Sequence, residues 1–185
     1  MKLIDIGANL AHDSFDGDRD RVIHRANDAG VYRLVLTGSS EQSNHDALAI
    51  ARDRPGELFS TAGLHPHHAS EYTYSLHASL RDLLHDEQVV AIGECGLDYF
   101  RDFSPRDAQR VAFERQLELA VESGKPVFLH QRDAHRDFVD VLAPVLQNIS
   151  RGVAHSVTGT GVELGELLEL DGASGSAGGG GGARG

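Results

Sequence analysis

Val89–His130 reads VVAIGECGLDYFRDFSPRDAQRVAFERQLELAVESGKPVFLH. It opens on a short apolar run, Val89–Ile92, and closes on another, Pro126–Leu129. Between them Pro105–Ser123 has the pattern of an amphipathic helix, with Ser104 as its N-cap, Pro105 at the first helical position and Gly124 where the helix should stop. The flanking strands are apolar throughout rather than alternating. Strands of that kind are buried on both faces, which happens in a parallel sheet covered by helices.

The same unit recurs on both sides. Strands are expected at Leu3–Ile6, Arg33–Leu36, Leu58–Ala62 and Gly152–Ala154, and helices at Asp18–Ala29, Ser43–Arg52, Tyr74–His85, Ala134–Gln147 and Val162–Leu170, with Gly30 ending the first helix. Six β-α units are visible. A closed (β/α) barrel of the TIM type needs eight and about 250 residues, so the expected fold is an α/β TIM-type (β/α) barrel with about six units present. An open doubly wound sheet is the competing architecture. Residues 1–170 form the expected barrel domain.

From Gly172 the chain reads GASGSAGGGGGARG. With no apolar residue larger than alanine, residues 171–185 are expected to be a Gly-rich disordered tail without a seventh strand. Either a linker or an out-of-frame continuation of a truncated barrel accounts for it, and the helix cut off before it favours the second.

The 185 residues carry a net charge of −11. That charge disfavours coating nucleic acid by bulk electrostatics. It leaves open an enzyme whose bound cations supply positive charge locally. The start, MKLIDIGANL, has no signal-peptide pattern. No run is apolar enough to span a bilayer, and Cys95 is the single cysteine. A cytoplasmic protein without a membrane role is expected, and a monomer is the default.

Chemistry gathers at the ends of the expected strands. Asn9 follows the first, His65 the third, Glu94 the fourth, His130 the fifth and His155 the sixth. In a parallel barrel the carboxyl ends of all strands meet on one face, where active sites lie. Two imidazoles and a carboxylate suit Mg²⁺, Mn²⁺ or Zn²⁺, with geometry choosing among them. His12, His24, His45, His77 and His85 fall on loops or outer helix faces and read as solvated. Cys95 reads as a small packed thiol rather than a nucleophile.

Four segments then reach a family. GLHPH (Gly63–His67), AIGECGLDY (Ala91–Tyr99), PVFLHQRDA (Pro126–Ala134) and AHSVTGT (Ala154–Thr160) resemble the TatD family of metal-dependent DNases, from Lys2 to about Leu170. The resemblance implies a (β/α) barrel and a divalent metal, Mg²⁺ first, held by Glu94, His130 and His155. His65 and Asn9 are implied as further metal or phosphate contacts, and Arg132 and Asp133 as supporting groups. It implies hydrolysis of DNA, with RNA also considered, as a 3′-to-5′ exonuclease on single strands.

Two departures stand out. Much of the wider family has a His-x-His pair where Gly7 and Asn9 stand here, which puts a second metal in doubt. The family's aspartate at the end of the eighth strand has no counterpart here; Asp98 and Asp133 do not match its motif, so no catalytic residue is assigned. Two readings compete with the nuclease. One is an amidohydrolase-type enzyme on a related barrel, disfavoured because His130 stands where a carboxylated lysine would. The other is a catalytically dead metal-binding fragment.

Overall fold

The computed structural model describes residues 1–155, 158–169 and 173–175. Its sheet runs β1 (Leu3–Ala8), β2 (Val31–Leu36), β3 (Leu58–Ala62), β4 (Val89–Asp98), β5 (Val127–Arg132), β6 (Gly152–His155) and β7 (Ala173–Gly175). Every neighbouring pair is parallel, and the strands lie side by side in chain order. Between them come α1 (Arg19–Asp28), α2 (Glu41–Asp53), α3 (Tyr74–Leu83), α4 (Arg106–Ser123), α5 (His135–Leu142) and α6 (Gly161–Glu169). A doubly wound sheet reverses its strand order at a switch point. No reversal occurs here, and the sheet curls as part of a TIM-type barrel.

Two apolar clusters lie between strands and helices. The larger joins β3–β6 to α3–α5 through Leu80, Ile92, Leu97, Leu117 and Leu129. Phe113 of α4 and Phe138 of α5 stack within it, their ring centroids 5.1 Å apart. The smaller packs β1 and β2 on α1 and α2 through Ile23, Leu34, Leu36 and Ala47. Each of these leucine, isoleucine and phenylalanine side chains, fully buried, stabilises the fold by roughly 1.5–3 kcal/mol. Among the described residues β1 is an edge strand, which leaves Leu3 and Ile4 exposed.

Four details depart from the sequence reading. β4 does not stop at Ile92 but runs on to Asp98, so Glu94 lies inside the strand rather than beyond it. Ser104 is not the cap of α4; Pro105 holds that position, and the Ser104 hydroxyl donates to His67 O at 2.9 Å. α5 ends at Leu142 instead of continuing to Gln147, because Pro144 cannot continue the helical hydrogen bonding. Ala173–Gly175 pair in parallel with Gly152–Ala154, correcting the expectation that nothing in the Gly-rich stretch joins the sheet. A ladder is made by backbone groups, so it does not require large side chains. The rest of the expected tail lies outside the described residues.

Candidate metal centre

The geometry begins with a bulge in β4. Ile92 pairs with Val127, but Cys95, three residues on, pairs with Leu129, only two residues on. The extra residue reverses the side-chain alternation. Ile92, Cys95 and Leu97 therefore all join the helix-side core, while Glu94 turns to the inner face. Gly93 has φ +131° and Gly96 φ +143°, and a Cβ at either would overlap a carbonyl oxygen of β5, Phe128 O or His130 O respectively. The two glycines of GECG thus allow the backbone approach that brings Glu94 beside His130.

Three imidazoles converge on one oxygen, Glu94 Oε1. His130 Nδ1 lies 2.9 Å from it and His65 Nε2 3.5 Å. His155 Nε2 also contacts it. His130 projects inward from β5, next to His155 at the end of β6, whose ring stacks on Phe128 at 4.6 Å. Burial raises the carboxyl pKa of Glu94. Its hydrogen bonds to His130, then His155 and His65, outweigh burial and hold it well below the usual range. Glu94 is therefore anionic. Its Oε1 offers only two lone pairs to three approaching rings, an excess of nitrogen that suits a cation better than a hydrogen-bonded network. His65, Glu94 and His130 each bring a ligand atom to within 4.8 Å of one another.

His65 sits just beyond β3, and two buried amides set its position. The Asn44 side chain of α2 donates to Gly63 O at 2.9 Å and accepts from Gly63 N at 3.0 Å. Gln116 of α4 accepts from Leu64 N at 2.7 Å and donates to Leu64 O at 3.1 Å. These amides pair the backbone where the β3 ladder has ended. His65 Nδ1 accepts from His67 N at 3.2 Å. Burial lowers the pKa of His65. In the neutral ring with Nδ1 accepting, the proton is on Nε2, so His65 faces the cleft as a donor. With Nδ1 engaged by the His67 amide, His65 presents Nε2–H to the cleft, although by distance it groups with Glu94 and His130.

Asp98, at the end of β4, serves a purpose that sequence reasoning missed. It is 1% exposed. Its Oδ2 meets His67 Nε2 at 2.8 Å and lies 3.4 Å from His130 Nε2. Its Oδ1 accepts from Phe100 N and Arg101 N at 3.1 and 2.8 Å. Burial raises its pKa, but the Arg101 amide and then His67 hold it low. A carboxylate behind a histidine fixes the ring and its tautomer in many metal sites. The only signal in the sequence was its place in GECGLD.

The remaining candidates divide. Asn9 lines the same cleft of about 300 Å³ as His65, Glu94 and His155. Arg132 instead lies over the Phe100 ring at 3.9 Å, and Asp133 hydrogen bonds with Thr158. Neither touches the imidazole cluster. Cys95 is fully buried, and burial pushes its thiol pKa up, which suits packing rather than attack.

The comparisons with known proteins bear on this geometry. A family model described as TatD related DNase matches residues 4–179. The chain is 48% identical over 166 residues to the 3′-5′ ssDNA/RNA exonuclease TatD of Erwinia tasmaniensis, covering 90% of this chain and 64% of that protein. Against the protein of the same name from Erwinia billingiae it is 49% identical over 162 residues, covering 88% and 62%. The chain thus spans less than two thirds of the length of these curated relatives. Among solved structures, a TatD homologue from Escherichia coli K12 superposes with a TM-score of 0.84 at 27% identity, over 94% of this chain and 66% of that one. A TatD family hydrolase from Entamoeba histolytica does so at 0.84 and 27%, over 95% and 64%. A family match that runs through every strand carrying the site, with relatives this similar, shows where the chain belongs: it is a member of the TatD related DNases.

Proposed function

We propose that the chain hydrolyses phosphodiester bonds of single-stranded nucleic acid with a divalent metal, Mg²⁺ before Mn²⁺ or Zn²⁺, held by Glu94, His130 and His155. The observation carrying this reading is the convergence of three imidazoles on the single buried oxygen Glu94 Oε1. The names of the relatives support the substrate and its polarity, 3′ to 5′ on single-stranded DNA or RNA.

When bound, such an ion polarises a phosphoryl oxygen and makes water a stronger nucleophile at neutral pH. The protein's own groups prepare the site. Glu94 stays ionised and supplies negative charge at the centre of the cluster. His65 offers its Nε2–H to a phosphate oxygen. Asp98 places its negative charge 3.4 Å from His130 Nε2 and, by hydrogen bonding His67 Nε2, takes His67 out of the ligand set. Asn9 presents an uncharged amide at the cleft wall.

The test is digestion of single-stranded DNA by the 185-residue chain with Mg²⁺ or Mn²⁺, with EDTA and Glu94→Ala as controls, alongside calorimetric titration of the metal. Metal-dependent cleavage lost in Glu94→Ala supports the proposal. Metal binding through Glu94 with no cleavage of DNA or RNA refutes the nuclease and leaves a metal-binding protein.

A further inference from the structure

Resting on that reading of the substrate, we propose that the loop joining β4 to α4 is a stacking platform for the bases of a single strand, with Phe100 and Phe103 as its rings. Phe100 is 57% and Phe103 67% exposed. Leaving two phenylalanines in water forgoes stabilisation that burial would give, and both lie on the loop that follows Asp98, with Phe103 against His67 at the cleft wall. Phe103 meets the His67 ring edge-on, centroids 4.8 Å apart. Phe100 carries the Arg132 guanidinium at 3.9 Å and the Arg101 guanidinium more loosely at 6.0 Å, and at 57% exposure the ring still presents surface on which a base can stack.

Charge points the same way. The chain is strongly acidic overall, yet among the described residues neither Arg101 nor Arg132 forms an ion pair. Both flank the exposed rings. Aromatic faces interleaved with guanidinium groups that no carboxylate neutralises are what sequence-tolerant single-strand binding uses: the rings take bases, the cations take phosphates. A duplex hides its base faces in its own stack, so the platform selects an unpaired strand.

The platform is built before a strand arrives. Asp98 Oδ1 accepts from Phe100 N and Arg101 N. At the loop's far end Gln109, 1% exposed, donates to both Asp98 O and Ser104 O and accepts from Asp98 N at 2.8 Å. Ser104 in turn donates to His67 O. Little conformational freedom is then lost on binding, and the rings stand in a fixed relation to the imidazoles.

The experiment is fluorescence anisotropy of the full chain in EDTA at low ionic strength, with labelled oligo(dT) and an abasic oligonucleotide of equal length as probes. Wild type is expected to bind oligo(dT) about 5- to 100-fold tighter than the abasic strand for each base stacked. The variant Phe100→Ala/Phe103→Ala should lose that preference, and Phe100→Trp/Phe103→Trp should restore it, with circular dichroism spectra unchanged in both. Equal wild-type affinity for the two probes, no binding of oligo(dT), or a preference surviving in the alanine variant overturns the platform. Metal-dependent cleavage by wild type, measured separately, decides the nuclease reading. Cleavage without base preference sinks the platform alone, and base preference without cleavage sinks the nuclease alone.

Discussion

Replacing Gln116 with leucine tests whether the amide clamps hold the site. Gln116 is fully buried, and its amide serves Leu64 N at 2.7 Å and Leu64 O at 3.1 Å. Leucine has similar bulk and no polar atom, so Gln116→Leu strands a buried N–H and a buried C=O. Each unsatisfied group costs about 1–3 kcal/mol, hence roughly 2–6 kcal/mol together. The apolar replacement returns about 1–2 kcal/mol by burial, for a net loss of about 1–4 kcal/mol. Against a total stability of about 5–15 kcal/mol that is a sizeable fraction, and it lowers Tm by roughly 2–16 °C at this chain length. Urea denaturation followed by circular dichroism measures it, with the midpoint falling and the slope m unchanged. The comparison variant is Gln42→Leu, an exposed residue whose amide, among the described residues, bonds only Asp46 one turn on and which should change stability by no more than about 0.5 kcal/mol. If Gln116→Leu costs no more than Gln42→Leu, the clamp is not what holds Leu64 and the account of how His65 is positioned fails.

Gly96→Ala places a methyl group against His130 O at a φ of +143°; a loss of about 3 kcal/mol or more is expected, read by thermal melting, and wild-type stability in this variant contradicts the need for a glycine there. Asp98→Asn keeps the side-chain shape but removes the charge behind His130 and His67. Affinity for Mn²⁺ should fall about 10- to 100-fold, measured by calorimetry on protein freed of metal with EDTA. Unchanged affinity would show that Asp98 braces only the loop.

The barrel was legible because its signal is redundant. Apolar strands alternating with amphipathic helices demand a parallel sheet, and every expected helix appears within a few residues of its place. The convergence of Glu94, His130, His155 and His65 followed from topology alone, since parallel strands bring their carboxyl ends together. What stayed hidden is what depends on contacts distant in sequence. Asn44, Gln109 and Gln116 read as ordinary polar positions on helices, yet each is at most 1% exposed and pairs backbone in another element. The glycines of GECG read as the end of a strand; the bulge they permit needs β5 beside it to be seen. Ser104 before a proline reads as a helix cap, and only the fold brings His67 within its reach.

Glu94 and Asp98 lie on one strand, and the His130 ring stands between them, Nδ1 toward the first at 2.9 Å and Nε2 toward the second at 3.4 Å. The hydrogen bond to Glu94 orients the ring, and the Asp98 charge lies on its other side. In this structure Nδ1 is hydrogen bonded to Glu94, while Nε2 meets Asp98 only as a 3.4 Å charge contact without a hydrogen bond; a cation taken up at Nδ1 would put the proton on Nε2, on the side of the Asp98 charge. The same Asp98 holds the second and third amides, Phe100 N and Arg101 N, of the loop that carries Phe100 and Phe103. Displacing Asp98 therefore reaches the imidazole cluster and the aromatic rim together, whereas Phe100→Ala/Phe103→Ala reaches only the rim. If the double variant weakens Mn²⁺ affinity as much as Asp98→Asn does, the two regions are one cooperative unit; if it leaves metal affinity intact, they are separate devices sharing one anchor, as the hydrogen bonds of Asp98 require.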